Sequence, residues 1–578
     1  MAERPRRGGS VTLACTPGVV PEYIFPFTPV EYYTTTNLQE FQALLYRPLY
    51  WYGSGGQPGV DERRSLALPP QWSADGRTVT VTLKPWRWSD GSVVGADDVL
   101  RWMRLLEARK ADFGGYVPGC FPDNLTGYRK VAEDRVAFTF DRVYSKRWVL
   151  MNQLSTVTPV PAAWDRTAEG PADCLSRPER AEEVWRYLRA CNDDRAGWVE
   201  SPVWGVVNGP WRLAGYGPQG LRFVPNDAYS GPDRPWLDEF RQVPSESNEA
   251  QYRRLEQGPH GPDAIQIGFL PPESVTEPTD DPTRGGPNPL AEHYRLVPQL
   301  TYKVNYFPVN FLNPTVAGAI LRQPYLRQAL QSVLDQDGAI RDVYHGYGYR
   351  TTGPVPLLPD SELISPRQRG NPFPFDVERA RALLAEHGWD VSQTPAVCTD
   401  PALAGEGIEA GTRLSLVLRY AVGYPTLARI MEKLRTDAAA AGIELTLTTA
   451  EQRVIADEDT TGKPDWQLTN WNGGWIYGPG YHPTGEFLFR TGANMNFGSY
   501  ADPETDELID RTLAGDDLAD FHAFQDRIAA QAPVIWMPNL PARLLEVDRR
   551  LRGVEPLNPY GPINPEDWYY ADDHSSDN

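Results

Sequence analysis

Polar and apolar positions alternate most cleanly at Thr78-Val79-Thr80-Val81-Thr82-Leu83, which predicts a half-buried strand. Residues 8–14 predict an opening strand, and 136–140 another. A period near 3.6 sets Val99, Leu100, Met103 and Leu106 on one stripe of a helix over 96–109. Asp97 and Asp98 fall in its first turn, where carboxylates face the positive end of the helix dipole. Further helices are predicted over 38–50, 181–189, 325–334, 376–388, 425–441 and 517–530. Asp376 can N-cap the fourth of these and Gly388 can close it. Strands are predicted at the end of 206–213 and over 443–447, and 302–311 is a strand-like run able to cross between domains. Residues 271–290, rich in Pro, Asp and Gly, read as a surface loop. Helices and strands alternate without an internal repeat, so the fold class is α/β.

With 578 residues the chain exceeds a single core and implies several domain-sized units. Its net charge of −20 argues against nucleic acid or an anionic membrane as partner, because both need a basic face. No stretch approaches the ~20 apolar residues of a membrane span. The start, Met1-Ala2-Glu3-Arg4-Pro5-Arg6-Arg7, is not a signal peptide, and the tail from Asp572 reads as disordered. Cys15, Cys120, Cys174, Cys191 and Cys398 form no metal spacing. Cys174 and Cys191 are close enough to bridge in an oxidising compartment; otherwise all five are small buried hydrophobes.

The chain lacks a P-loop, an H-E-x-x-H pair and a G-x-S-x-G elbow. Its seven histidines are scattered, so no metal or cofactor is expected. The densest constellation is 471–488, where Trp471, Asn472, Gly473, Gly474, Trp475, Tyr477, Tyr481 and Glu486 interleave glycines with aromatics. Glycines let a backbone approach a ligand and aromatics wall a pocket; a packed loop with aromatic anchors is the blander reading.

Five stretches in order carry a resemblance. They are Trp88-Ser89-Asp90-Gly91 with its Asp97-Asp98-Val99 helix, Asn208-Gly209-Pro210-Trp211 with 225–231, 323–330, 376–388 and 500–509. Together they resemble the bacterial solute-binding proteins of family 5, the oligopeptide and dipeptide binders of ABC importers. The resemblance implies an α/β fold of the periplasmic-binding-protein type II: two lobes with an extra domain and a ligand cleft between the lobes. Carried onto this chain, lobe I takes 8–48, 203–302 and 537–578, the extra domain 49–202, and lobe II 303–536.

In the peptide binders the loop matching 471–488 reads roughly Arg-x-Gly-Trp-x-x-Asp, and its Asp takes the peptide ammonium. Here Gly474 and Trp475 match, but Asn472 stands for the Arg and Gly478 for the Asp. The resemblance then leaves Glu31 or Glu486 to meet an ammonium, or a ligand held without a free N-terminus. The loop with Glu31, Tyr32 and Tyr33, and Tyr116 beyond the Asp-Asp-Val helix, complete the implied ligand set.

The expected function is capture of a peptide or peptide-like ligand, an arginine-containing one given the acidic charge, and delivery to a membrane ABC permease. The expected molecule is a monomeric, extracytoplasmic lipoprotein of actinobacterial type, its export segment outside this sequence, and not an enzyme. Some relatives lie in antibiotic gene clusters, including that for clavulanic acid, which implies biosynthesis or export as a second reading. A non-peptide solute within the same fold is a third, and a two-carboxylate glycoside hydrolase is the rival from another class. Trp475→Ala is expected to weaken binding with little loss of folding.

Overall fold

The predicted strand 78–83 forms as Thr78–Thr82 and lies inside a four-stranded antiparallel sheet. The computed structural model describes residues 5–571 apart from 460 and 479, so the first four residues and the tail from Asp572 lie outside it. The sheet order is Gln71–Trp72, Thr78–Thr82, Arg135–Phe140, Leu125–Ala132. The helix Ala96–Arg109 has the expected bounds and buries Val99, Trp102, Met103, Leu105 and Leu106. Asp98 starts it by accepting from Gly95 N (3.0 Å) and from Trp88 Nε1 (2.9 Å). The Trp-Ser-Asp-Gly turn and the Asp-Asp helix are thus one hydrogen-bonded unit.

A larger sheet gathers seven strands from both ends and the middle of the chain. Its order is Trp211–Gly217, Gly220–Pro225, Glu239–Val243, Ser10–Ala14, Ile267–Phe269, Leu544–Asp548, Tyr294–Pro298. Ser10–Ala14 runs parallel to both its neighbours, whereas Leu544–Asp548 is antiparallel to its own. A third sheet is all parallel: Glu444–Ala450, Ser415–Ala421, Leu468–Asn470, with the helix Pro425–Ala440 as one crossover.

Two segments connect these bodies. The strand Lys303–Pro308 leaves the seven-stranded sheet, pairing first with Gly474–Ile476 and then with Val534–Trp536. The chain returns beside it, Met537 N donating to Asn305 O, before entering Leu544–Asp548. Tyr302, Val304 and Tyr306 pack into the core that holds the seven-stranded sheet, and Phe307 and Val309 into the core of the parallel sheet. The crossing strands are therefore the floor that two hydrophobic cores share.

Two expectations change, and the choice left open for the cysteines is resolved. The helix at 38–50 ends at Leu45, because Tyr46 turns extended and Leu49 bonds its backbone to Val157 and Ala67. The segment 471–488 is not one loop; it contains the strand Gly474–Ile476 and the short helix Glu486–Phe489. Cys174 and Cys191 form no disulfide; all five cysteines are free and four are buried, so they serve as small hydrophobes. Among the described residues no helix is long and apolar enough to cross a membrane.

Candidate functional site

The strand Gly474–Ile476 lies at the edge of its sheet, and no described strand pairs with its outer side. Gly474 must be glycine, since a Cβ there would sit 1.9 Å from Val304 O. Trp475 lies opposite Val304, and Tyr477 N donates to Tyr302 O, so these backbones face the crossing strand. By antiparallel alternation, the backbone groups of Gly474 and Ile476 face the outer edge, where Ile476 O already accepts from Gly478 N at 2.8 Å.

An aromatic seam runs along this edge. Trp475 is buried, with its ring parallel to that of Tyr33 (centroids 6.3 Å, planes 1° apart) and stacked on Phe487 at 5.8 Å. Tyr33 is seated by Gly114, where a Cβ would lie 2.5 Å from its ring. Tyr481 stacks on Tyr52 at 3.8 Å and meets Tyr560 edge-on at 4.6 Å. Tyr477 packs on Tyr302 at 5.7 Å and bonds its hydroxyl to Pro354 O. Gln39 Nε2 donates to Gly478 O at 2.7 Å. Tyr33 and Tyr481 keep partial solvent contact, and burial raises both phenol pKa values.

Next to the seam, a polar knot joins the segment 145–153 to 482–486. Asn152 Oδ1 accepts from His482 N, while its Nδ2 donates to His482 O (2.9 Å) and Glu486 (2.6 Å). Trp148 Nε1 donates to Glu486 at 2.8 Å, and Thr484 Oγ1 donates to the same carboxylate. Glu486 is fully buried without a cation, and burial raises its pKa. Burial also holds the His482 imidazole neutral, its pKa down to about 3, with the nearby Arg147 charge adding to the effect.

The predicted residues thus divide. Tyr33, Gly474, Trp475, Tyr477 and Tyr481 come together. Trp471 is held apart, edge-on to Tyr306 and Phe497, while Asn472 (φ +63°) and Gly473 form the half-exposed turn between. Tyr32 stacks on Tyr23 at 4.8 Å, and the Tyr116 hydroxyl is spent on Asp123. Glu486 is engaged by neutral donors in the core, whereas Glu31 is exposed and makes only a loose contact with Arg189 at 3.9 Å.

Sequence reasoning missed Tyr52, Asn152, Trp148, Tyr302 and Tyr560, which come from distant stretches and share no spacing. It also passed over His482, inside the constellation itself. Several polar atoms along the seam have no partner among the described residues: Tyr33 Oη, Trp475 Nε1, Tyr560 Oη and both His482 ring nitrogens. The two phenols, the indole and one nitrogen of the neutral imidazole can donate a hydrogen bond.

Comparison with known proteins follows the same lines. The family described as bacterial extracellular solute-binding proteins, family 5 middle, matches residues 63–491. Protein XP55 of Streptomyces lividans is 23% identical over 488 residues, 80% of this chain and 74% of that protein. The oligopeptide-binding protein AppA of Bacillus subtilis, in complex with a nonapeptide, superposes with a TM-score of 0.72 at 18% identity, covering 98% of this chain and 100% of AppA. AgaA of A. tumefaciens R10, in complex with agropinic acid, gives 0.70 at 17% identity, covering 98% and 99%. At such identities the likeness shows the fold, which is that of the type II periplasmic binding proteins: α/β, in two lobes.

Proposed function

Since this chain belongs to the bacterial extracellular solute-binding proteins of family 5, we propose that it captures a peptide or peptide-like molecule between its lobes and hands it to an ABC permease. The observation that carries the reading is the unpaired outer edge of Gly474–Ile476 beside the Tyr33–Trp475 seam. An extended ligand adds there as a further strand, its side chains meeting Tyr33, Trp475 and Tyr481. In this reading lobe I is 8–48, 203–302 and 537–578, the extra domain 49–202 and lobe II 303–536. The lobes swing about the crossing strands, and the ligand shifts the population toward the shut state by its differential affinity.

The protein works as a monomer on the extracytoplasmic side of the membrane, tethered as a lipoprotein, and leaves its ligand unaltered. An arginine side chain in the ligand finds no partner in Glu486, whose buried carboxylate is held by neutral donors. The same observation favours a second reading, a non-peptide acid as ligand, of the kind bound by AgaA.

The test is incubation with a pool of tri- to pentapeptides, followed by gel filtration and mass spectrometry of what is retained. Retention of intact peptides supports the reading. Cleaved products, or no retention, contradict it.

A further inference from the structure

The Pro-, Asp- and Gly-rich stretch 271–290 has both ends seated in lobe I. Val275 is buried with Leu270, Leu296 and Leu544, and Leu290 with Ala14, Ile265 and Tyr294. Asn288 holds the far end, its Nδ2 donating to Glu546 at 2.8 Å and its Oδ1 accepting from Leu290 N at 2.8 Å. Gly285 lies flat on the edge strand Tyr294–Pro298, where a Cβ would sit 2.1 Å from Leu296 O. Pinned this way, the loop covers one edge of the seven-stranded sheet.

Its middle also reaches across to 344–349, which follow the helix Gln336–Asp342 of lobe II. Thr279 N donates to His345 O at 2.9 Å, and Gly286 N donates to the Tyr347 hydroxyl at 2.7 Å. The approach is close enough to dictate residue type: Gly346 has φ +84°, and a Cβ there would lie 1.9 Å from Thr279 O. His345 beside it is left-handed too, at φ +51°, which costs a non-glycine residue energy unless its surroundings hold it. Tyr347 is 2% exposed and packs among Leu270, Val275, Leu296 and Leu544, all from lobe I. Val343 and Tyr344, just before it, belong instead to the core around the parallel sheet. One lobe II side chain is therefore planted in lobe I. The residues after it meet the crossing strands. Tyr349 and Asn539 exchange backbone bonds of 2.9 and 2.7 Å, and Asn539 Nδ2 donates to Lys303 O and to the Tyr349 hydroxyl.

Resting on the two-lobe reading above, we propose that residues 278–288 form a strap that clasps Tyr347 and fixes the axis about which the lobes swing. A hinge is a few residues that absorb the change in φ and ψ, and a third, non-covalent tie beside the two crossings confines that change to one axis. None of residues 276–289 is buried, so the strap is held by its hydrogen bonds and its two anchored ends more than by apolar packing of its own. Without the clasp the lobes also sample arrangements in which the cleft walls do not meet. Those arrangements lower the apparent affinity by the fraction of the chain that they occupy.

The test compares the full, ligand-free chain with two variants. Tyr347→Phe keeps the ring and removes the acceptor; Thr279→Pro removes the donor on the strap and touches neither core. Hydrogen exchange, read by mass spectrometry, should quicken roughly fivefold in peptides containing Tyr349 and Asn539, the factor that corresponds to one hydrogen bond lost. The seven-stranded sheet should exchange as before, and both variants should melt cooperatively. Retention of a free-acid pool of tri- to pentapeptides should fall by a similar factor. Faster exchange confined to 276–290, with undiminished retention, makes the loop a surface cover and overturns the inference. Faster exchange throughout the seven-stranded sheet, with a lower melting temperature, makes Tyr347 a packing residue and overturns it as well. If the unaltered chain retains no peptide, the peptide reading fails, and exchange at Tyr349 and Asn539 still decides the clasp.

Discussion

Asn152 and Glu486, 334 residues apart in the chain, share a hydrogen bond of 2.6 Å in a fully buried setting. The bond ties the segment that carries Trp148 to the segment that carries Trp475. It uses a carboxylate where no cation is present, so the charge is held by neutral donors alone.

That arrangement has a definite pH signature. Burial raises the folded pKa of Glu486 above its ordinary value of 4.5, so its contribution to stability is full below that value and is lost as pH rises through the folded pKa. Glu486→Gln keeps an acceptor for Trp148 and Asn152 and removes the charge. The variant should melt with the unaltered protein at pH 4 and above it at pH 7, as read by differential scanning fluorimetry. A lower melting temperature at pH 7 would show that the charge itself stabilises the knot.

Trp475→Ala should affect folding more than its place in the sequence suggested. Buried between Tyr33 and Phe487, its ring is part of the core as well as the seam. Truncation is expected to cost about 3–5 kcal/mol and to abolish peptide retention. An unchanged melting temperature on urea or thermal unfolding would mean that the seam is not packed.

The pairing of Trp88 with Asp98 is structural. Trp88→Phe leaves a buried carboxylate one donor short and should cost about 1–3 kcal/mol. Peptide retention should stay within twofold of the unaltered protein; a larger loss would place this turn in the ligand path.

Local patterns carried much of the fold. The helix 96–109 and the strand 78–82 follow from period and alternation, and Asp376 caps its helix as its position predicts, accepting from Arg379 N. The larger sheet was less legible because its strands are short and its neighbours are remote: Ile267–Phe269 spans three residues and lies between chain ends. At the site, the 471–488 aromatics were visible as a cluster, and Tyr33 and Trp475 do meet. Tyr52 and Tyr560 were not visible, since each is an ordinary residue until the fold brings it to Tyr481. Trp471 carried the right chemistry, but the crossing strand claims it through Tyr306.

Native mass spectrometry of the full chain, mixed with the free-acid peptide pool and then denatured, bears most directly on capture without chemistry. One intact peptide per chain, released at unchanged mass, is the predicted outcome. A chain that stays bare in the pool, or one that releases shortened peptides, would contradict it.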